Sequence, residues 1–418
     1  MKLKTLWPMV KFEAPTLGSN RRKKSACSVA RIVVAFLALA LAYIPQTSAA
    51  GDAQRVSDIT IGIVGPMSGD MAHLGRYVRE AAALAVEEWN EKGGIQGHRI
   101  QLLLEDDRND PLEAVAAAKR LVQAGVWGVI GDLTSAASLP ASAIYQAAGI
   151  PQITPSSTDP RLTEQGFQSL FRTCGRDDQQ GRVAAEFVLD RLHPRRIVIL
   201  YDRTAYGQAL AEAFKRRIVH ALRGLRVTSM ALSSDRKDLN SVVEQIKAKE
   251  PDLVYFGGLY HEGGLLAKRL REEGVQATLV SGDGVFGTEF VNLAGEAAAA
   301  GTYLTFAPDP MLLPTAEAAI KRFHARYSAI GPYSLYAYDA AGALFTAIAD
   351  ARPTTPSRPH LLRVSQVLHR MTYMGALGRL RWDHKGDLVK PPYVIYQVKK
   401  GGSFQGWFEQ VTDRTLKR

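Results

Sequence analysis

The sequence predicts an α/β protein built from two lobes, each a doubly wound parallel β-sheet covered by helices. Two observations predict this fold class. From Ile59 onward, short β-branched runs alternate with longer amphipathic stretches, which is the pattern of βαβ units. The alternation then restarts after Asp177, so the chain contains two successive blocks of the same kind. We therefore expect two similar lobes.

In the first block, β-branched runs predict strands and amphipathic stretches predict the helices between them. The predicted strands are Ile59–Val64, Ile100–Leu104 and Trp127–Ile130. The predicted helices are Gly75–Glu91 and Pro111–Gln123. Asp110 and Pro111 supply the second helix with an N-cap and a first-turn proline. Glycines follow both helices, so each helix has a stop signal.

The second block repeats this pattern, and the tail of the chain does not. The predicted strands of the second block are Ile197–Leu200, Val227–Leu232, Leu253–Phe256 and Thr278–Ser281. After Tyr303, three helical stretches precede two strand-like runs, Leu377–Trp382 and Tyr393–Val398. Two strands are too few for a third sheet, so we expect the tail to divide itself between the two lobes.

The first fifty residues have the order of a secretory signal peptide. Residues 1–50 carry eight basic residues against one acidic residue, and so supply +7 of the net charge of +11. An apolar run from Ile32 to Ile44 follows the basic residues and precedes small residues at 47–50. This run is too short to span a bilayer comfortably. We expect residues 1–50 to be removed on export, which leaves Cys174 as the one cysteine.

The remaining chain carries no strong signal for nucleic acid, metal or cofactor. Its net charge of about +4 is spread among mixed charges, which does not predict a nucleic-acid partner. Gly282–Gly287 matches the dinucleotide fingerprint, but it lies in the last unit of its block, which favours a glycine-rich turn. His261 lacks the second histidine that a helical zinc site needs. We expect no cofactor, no metal and no catalytic activity.

Two neighbouring strand ends of the first block carry hydroxyl-rich turns, residues 131–135 and 154–158. Ligands bind at the carboxyl ends of parallel strands. Ser135 begins a helix that runs toward Ala148, so its hydroxyl, the nearby N–H groups and the helix dipole can together hold a carboxylate. Taken singly, each hydroxyl is better explained as a helix or turn cap. Their concentration at two adjacent strand ends favours a ligand site.

Several motifs resemble, in order and spacing, those of branched-chain amino-acid-binding proteins of ABC transporters. These motifs are Ile63–Gly69, Asn90–Gly94, Asp106-Asp107, Thr154–Leu162, Gln180-Gly181, Trp382-Asp383 and Lys385–Asp387. The resemblance covers nearly the whole chain after residue 50. One departure is that Asn109 and Thr134 stand where the family has a disulfide.

The resemblance implies the type I periplasmic binding fold and its domain organisation. In that fold, two lobes are joined by three crossings, here near Arg176, Thr305 and Trp382. The implied lobes are residues 57–176 plus 306–382 and residues 177–305 plus 383–418.

The resemblance also implies which residues hold the polar part of a ligand. Ser135 and Thr158 match residues that hold the α-carboxylate and ammonium, and Ser156 matches one that contributes backbone groups. Asp283 stands where the family has a glutamate facing the ammonium, and Asp177 matches a pocket residue of the second lobe. A zwitterion leaving water needs donors for its carboxylate and an acceptor for its ammonium, which these side chains offer. Asp283 is explained equally well as an ordinary turn aspartate.

The part of the pocket that sets specificity departs from the leucine-binding members. Leu74 and Leu259 stand where those proteins carry aromatic residues, although Tyr260 follows Leu259 and Tyr333 can supply a ring. Tyr206 matches a pocket residue of the second lobe, with simple packing as the alternative. The expected ligand class therefore extends from leucine, isoleucine and valine to larger or aromatic side chains.

The sequence thus predicts a periplasmic solute-binding protein of an ABC transporter. We expect it to act as a monomer that captures an amino acid or related small carboxylate by lobe closure and delivers it to a membrane permease. Ligand would stabilise the closed form because only closure completes the contacts. The alternative is a ligand-sensing regulatory protein of the same fold that signals to a protein partner, and an enzyme is a third alternative.

Overall fold

The computed structural model describes residues 58–221, 224–233, 238–327, 329–401 and 408–411. The predicted export segment, residues 1–50, lies outside them. In the described part of the chain, the strands form two main sheets and one two-stranded hairpin. No helix of that part has the length and apolar character that a membrane span requires.

Five parallel strands form the first sheet, in the order β2-β1-β3-β4-β5. They are β1 (Ile59–Gly65), β2 (Ile100–Asp106), β3 (Val129–Ile130), β4 (Gln152–Thr154) and β5 (Leu170–Arg172). In the register, Ile63 of β1 lies between Leu104 of β2 and Ile130 of β3. β1 is buried along nearly its whole length, which explains why its sequence is a continuous β-branched run instead of an alternation.

The second sheet has the order β14-β13-β10-β9-β8-β6-β7. Its parallel strands are β6 (Arg196–Tyr201), β7 (Arg226–Ala231), β8 (Leu253–Gly257), β9 (Thr278–Ser281) and β10 (Tyr303–Phe306). The antiparallel strands β13 (Val394–Val398) and β14 (Phe408–Gln410) extend it beyond β10. The last strands of the chain therefore join the second sheet and form no third sheet in the described residues.

Helices lie between the strands and cover the sheets. In the first half of the chain they are α1 (Ala72–Glu91), α2 (Pro111–Gln123), α3 (Ser135–Ala148), α4 (Arg161–Glu164), α5 (Asp177–Phe187) and α6 (Ala205–Ala221). In the second half they are α7 (Leu239–Ala248), α8 (Tyr260–Glu272), α9 (Thr288–Ala294), α10 (Glu296–Ala299), α11 (Glu317–Arg326), α12 (Ser334–Ala351) and α13 (Arg358–Arg370). As predicted, the Asp110 carboxylate caps α2 by accepting from the N–H groups of Leu112 and Glu113, at 2.7 and 3.1 Å.

Helix α1 begins at Ala72, three residues earlier than the sequence predicts. Gly75, near which the sequence predicts the helix start, lies in the first turn and faces the loop after β1. A Cβ atom at Gly75 would lie 2.1 Å from the carbonyl oxygen of Pro66. This glycine is therefore needed for close approach of helix and loop, and it does not mark the helix start.

The strand predicted over Leu377–Trp382 is present in shortened form as β12 (Gly378–Leu380). It pairs in a hairpin with β11 (Tyr373–Gly375), which the sequence did not predict. Its turn residues, Ala376 and Leu377, lack the usual Asn-Gly signal. Their N–H groups donate to the buried carboxylate of Asp339 in α12, at 2.7 and 2.8 Å. The acceptor for this turn therefore comes from a distant helix.

The helices of the tail pack on the first sheet, although its last strands join the second. The core around β1 includes Phe323 of α11, Leu344 and Phe345 of α12, and Val364 of α13. The chain therefore passes between the two sheets after β5, after β10 and after β12. The residue boundaries of the lobes stay a prediction.

Candidate functional site

A cavity of about 470 Å³ lies between the two sheets. Nearly every segment of its wall follows the carboxyl end of a parallel strand. These segments are 71–74 after β1, 109–111 after β2, 133–136 after β3, 156 after β4, 203–206 after β6, 259–260 after β8 and 283–289 after β9. Both lobes therefore contribute to one cavity at the edge where parallel sheets usually bind ligands.

The structure brings eight of the ten predicted site residues to the wall of this cavity. They are Leu74, Ser135, Ser156, Tyr206, Leu259, Tyr260, Asp283 and Tyr333. The other two, Thr158 and Asp177, are buried and do not line it. Thr158 lines a neighbouring cavity of about 160 Å³, which shares Asp283 and Tyr333 with the first.

Asp283 follows β9, and three side chains donate to its carboxylate. Gln180 Nε2 and Tyr206 Oη each donate to Oδ1 at 2.8 Å, and Tyr333 Oη donates to Oδ2. The N–H group of Asp283 donates in return to Gln180 Oε1, at 2.8 Å. A carboxylate offers about four acceptor positions. One position is therefore left for a further donor, such as a ligand ammonium.

Burial controls the protonation of this cluster. It raises the pKa of Asp283 above its ordinary value, and the three donors lower that pKa in part. Burial and the nearby Asp283 carboxylate raise the pKa of Tyr206 and of Tyr333 well above the ordinary value of 10.0. Both phenols therefore keep their protons at neutral pH and act as donors.

Thr158 and Asp177 lie side by side where the chain first passes between the lobes. The N–H group of Asp177 donates to the carbonyl oxygen of Thr158, at 2.9 Å. Thr158 Oγ1 and Asp177 Oδ2 have no hydrogen-bond partner among the described residues. Burial and the Asp283 carboxylate raise the pKa of Asp177 well above its ordinary value. Two buried polar atoms next to the cavity are thus available to a ligand.

Ser135 is the first residue of α3, a helix of 14 residues that points its N-terminus at the cavity. The preceding Thr134 makes no side-chain cap bond. Ser135 Oγ accepts from the N–H group of Asp159, at 3.2 Å, and keeps its own proton to donate. The first N–H groups of a helix have no partner within it, so this end suits a carboxylate.

Other hydroxyls in the two predicted turns, and one in α3, make hydrogen bonds within the protein. Thr154, Ser157 and Ser138 converge on the carbonyl oxygen of Asp132, with distances of 2.7 to 3.3 Å. The Ser156 hydroxyl donates to the carbonyl oxygen of Leu133, at 2.6 Å. These hydroxyls therefore cap turns, as the alternative explanation in the sequence analysis has it. Since the Ser156 hydroxyl is already engaged, Ser156 offers a ligand its backbone more readily than its side chain.

The two lobes contact each other around the cavity. Tyr260 Oη, at the start of α8, donates to the carbonyl oxygen of Asp70, at 2.7 Å. His73 Nε2 of α1 lies 3.5 Å from Glu289 Oε1 of α9. The Tyr260 ring also packs edge-on against the His73 ring, with 5.3 Å between the centroids. The structure therefore has its lobes together across the cavity.

One part of the cavity wall is apolar. Leu74 and Leu259 line it, and the Phe286 ring continues it. The Asp202 carboxylate fixes the loop before α8 by accepting from the N–H group of Leu259, at 3.2 Å. It also accepts from the Thr204 hydroxyl at 2.6 Å. Burial raises the pKa of Asp202 to about 6.

A hydrogen bond joins the two residues that stand where the resemblance implies a disulfide in related proteins. Thr134 Oγ1 donates to Asn109 Oδ1, at 2.8 Å, and both residues line the cavity. This bond joins the loop after β2 to the start of α3. Cys174 is buried and free, and the described residues contain no cluster of three or more His, Cys, Asp or Glu side chains suited to a metal ion.

Several residues of the site were not predicted from the sequence. Gln180 lies in a recognised motif, but its bond to Asp283 joins two elements far apart in the chain. His73 and Glu289 carried no signal beyond their neighbourhood, next to Leu74 and after the glycine-rich turn of residues 282–287. Phe286 belongs to that glycine-rich turn. The turn follows β9 and holds Asp283 and the Gly284 N–H group in hydrogen bonds with Tyr206.

The amino-acid sequence is similar to one family of proteins over most of its length. The sequence model of the family described as periplasmic binding protein matches residues 58–403. An amino acid binding protein from Pseudomonas aeruginosa is 36% identical over 351 residues, which are 84% of this chain and 92% of that protein. The Leu/Ile/Val-binding protein BraC3 from Rhizobium johnstonii is 35% identical over 371 residues, which are 89% of this chain and 98% of that protein.

The fold is shared with a solved structure of the same kind. It is that of the branched-chain amino acid transporter substrate binding protein LivJ from Streptococcus pneumoniae, in complex with isoleucine. The TM-score is 0.73 at 26% identity, and the match covers 85% of this chain and 99% of that one. The predicted fold class and the predicted family are thus confirmed. The chain belongs to the periplasmic binding protein family, a family of solute-binding proteins and not of enzymes.

Proposed function

We propose that this chain is the substrate-binding subunit of an ABC transporter and that it captures an amino acid between its two lobes. The observation that supports the proposal is that one side of the cavity offers a hydrogen-bond acceptor and the other side offers donors. The Asp283 carboxylate, on the second lobe, offers an acceptor to an ammonium group. The N-terminus of α3 with Ser135, on the first lobe, offers donors to a carboxylate. A free α-amino acid carries both groups on one carbon.

The physical argument is one of desolvation. Both charged groups of an amino acid lose water when the lobes enclose it, and each loss must be compensated by a hydrogen bond or an ion pair. Asp283 and the start of α3 supply compensation for the two signs of charge. Because the two partners belong to different lobes, the ligand stabilises the form in which the lobes are together.

The names of the relatives support an amino-acid ligand. The relative from Pseudomonas aeruginosa is an amino acid binding protein, the one from Rhizobium johnstonii is a Leu/Ile/Val-binding protein, and the solved LivJ structure holds isoleucine.

We further propose that residues 1–50 direct export to the periplasm, that the protein acts there as a monomer, and that a membrane permease receives the ligand.

The test is a binding survey of the exported protein. The full-length chain, expressed with a C-terminal tag, is recovered from the periplasmic fraction, and mass spectrometry determines where the leader is removed. Thermal unfolding is then measured with each of the common L-amino acids, because a tight ligand raises the midpoint. We expect a rise for at least one amino acid. No rise with any of them would contradict the proposal.

A matched pair of variants connects the binding to the site. Asp283→Asn removes the charge that would face the ammonium, and we expect it to weaken binding by at least tenfold. Asp190→Asn changes an acid that does not line the cavity and should leave affinity unchanged. Equal affinity for both variants would show that Asp283 does not bind the ligand.

A further inference from the structure

We infer that His73 and Glu289 are a specificity-determining pair that selects amino acids with a side chain larger than that of leucine and ending in an O–H or N–H donor. Tyrosine and tryptophan are the common amino acids that combine such a donor with a large and otherwise apolar side chain. The inference rests on the proposed function, because it concerns the same cavity. It adds the class of side chain that this chain selects, which the carboxylate and ammonium contacts do not determine, and it departs from the Leu/Ile/Val named for the relative from Rhizobium johnstonii.

The size of the cavity is the first support. Ligand pockets of roughly 300–1,000 Å³ bury most of the surface of a drug-sized molecule, so a cavity of about 470 Å³ has room for a side chain larger than that of leucine. An amino acid with an aromatic side chain fills it more completely. Because an unfilled cavity forfeits contacts, the larger ligand gains more from closure.

The apolar wall is the second support. Leu74 and Leu259 line the cavity from opposite lobes, and Leu139 and Phe286 extend the apolar surface. Leucine side chains occupy less of the cavity than aromatic rings at the same positions would. The space between them suits a ring on the ligand. An apolar ring by itself, however, does not explain the polar groups on the same wall.

The polar pair is the third support. His73 and Glu289 both line the cavity, and their side chains are 19% and 27% exposed. His73 Nε2 is a buried atom, and it has no hydrogen-bond partner among the described residues. It lies 3.5 Å from Glu289 Oε1, which is an ion-pair distance and longer than a hydrogen bond. The two groups thus keep hydrogen-bonding capacity that a third group between the lobes can use.

The position of His73 is fixed by its neighbours. The ring of Tyr260 packs edge-on against it at 5.3 Å, and the ring of Tyr77 does so at 6.2 Å. These ring contacts favour the orientation in which the His73 ring lines the cavity. An aliphatic side chain would therefore leave the His73–Glu289 pair without water and without a new partner, and this penalty discriminates against leucine.

The experiment compares four ligands on the exported protein by isothermal titration calorimetry: leucine, phenylalanine, tyrosine and tryptophan. We expect tyrosine or tryptophan to bind at least tenfold more tightly than phenylalanine, which has a ring without a donor. We expect phenylalanine to bind more tightly than leucine. Tighter binding of leucine than of all three aromatic amino acids would overturn the inference and leave the proposed function standing.

Variants separate recognition of the side chain from an effect on lobe closure. Glu289→Leu should weaken tyrosine or tryptophan at least tenfold and leave phenylalanine within about threefold of its original affinity. Glu289→Gln, which keeps an acceptor, should restore part of the loss. Glu296→Leu, in the exposed first turn of α10, is the matched control and should change nothing. The unliganded midpoint of each variant reports whether it is folded.

Two outcomes would count against the inference in different ways. If Glu289→Leu weakens all four ligands by the same factor, the pair acts only on the contact between the lobes, and the inference is wrong. If no amino acid binds the native protein at all, the proposed function fails and the inference fails with it.

Discussion

Gln180 and Asp283 hold each other by two reciprocal hydrogen bonds. The amide nitrogen of Gln180 donates to Asp283 Oδ1, and the N–H group of Asp283 donates to Gln180 Oε1, both at 2.8 Å. Thr305 Oγ1 donates to the same Gln180 oxygen at 2.5 Å. Gln180 therefore fixes both the side chain and the backbone of the acid at the centre of the candidate site.

This relationship makes Gln180 a positioning residue. We expect Gln180→Leu to weaken amino-acid binding by about 1–3 kcal/mol, because it frees Asp283 and leaves its N–H group without an acceptor. Gln208→Leu, at an exposed position of α6, is the matched control. Calorimetric titration with the ligand identified in the survey measures both variants. Equal affinity would show that Gln180 has no influence on the site.

Thr158 provides a test of the buried hydroxyl that has no partner among the described residues. Thr158→Val keeps the shape of the side chain and removes the donor. We expect binding to weaken by about 1–3 kcal/mol, while the unliganded protein keeps its stability because no protein hydrogen bond is lost. Thr346→Val is the control, since its hydroxyl donates to the Gly342 carbonyl within α12. Loss of stability without loss of affinity in Thr158→Val would contradict this role.

Asp387 is the centre of a buried ion cluster near the crossings. Its carboxylate lies 2.8 Å from Arg172, whose side chain is fully buried, and 2.5 Å from Arg176. We expect Asp387→Asn to lower the free energy of unfolding by about 3–5 kcal/mol, because it leaves Arg172 buried without its charge partner. Asp178→Asn removes a partly exposed partner of Arg176 and should cost less than about 1 kcal/mol. Urea unfolding of both variants tests the difference.

The buried carboxyl group of Asp339 should make the stability of the protein depend on pH. Burial raises its pKa from 3.8 to about 7, although two N–H donors lower it in part. Between about pH 4 and pH 7 the folded state therefore holds a proton that the unfolded chain releases. The contribution of this group to the free energy of unfolding should fall by up to about 4 kcal/mol as pH rises through this window, and level off above it.

Asp339→Asn removes the titrating group and is the control for that prediction. Urea unfolding at pH 4, 5, 6 and 7 should show a shallower decline for the variant than for the native protein. Asp107 and Asp202, whose pKa values burial raises to about 6, titrate in both proteins and cancel in the comparison. Identical slopes would mean that Asp339 does not titrate in this range.

The sequence by itself determined the features that depend on local pattern. The alternation of β-branched runs and amphipathic stretches predicted both sheets, and Asp110 with Pro111 predicted the start of α2. The hydroxyl-rich turns pointed to the edge where the cavity lies, and the ordered motifs pointed to the family. These signals can be read because periodicity, capping and turn chemistry act between residues close in the chain.

Only the tertiary structure decided which distant groups meet. It assigned the hydroxyl of Ser156 to Leu133 and left that of Thr158 without a partner among the described residues. It placed His73 beside Glu289, and it supplied the turn after β11 with an acceptor from α12. Such pairings arise when lobes and layers pack, and no spacing within the chain encodes them. The physical reason is that burial and hydrogen-bond partners belong to the folded surroundings of a side chain and not to its neighbours in sequence.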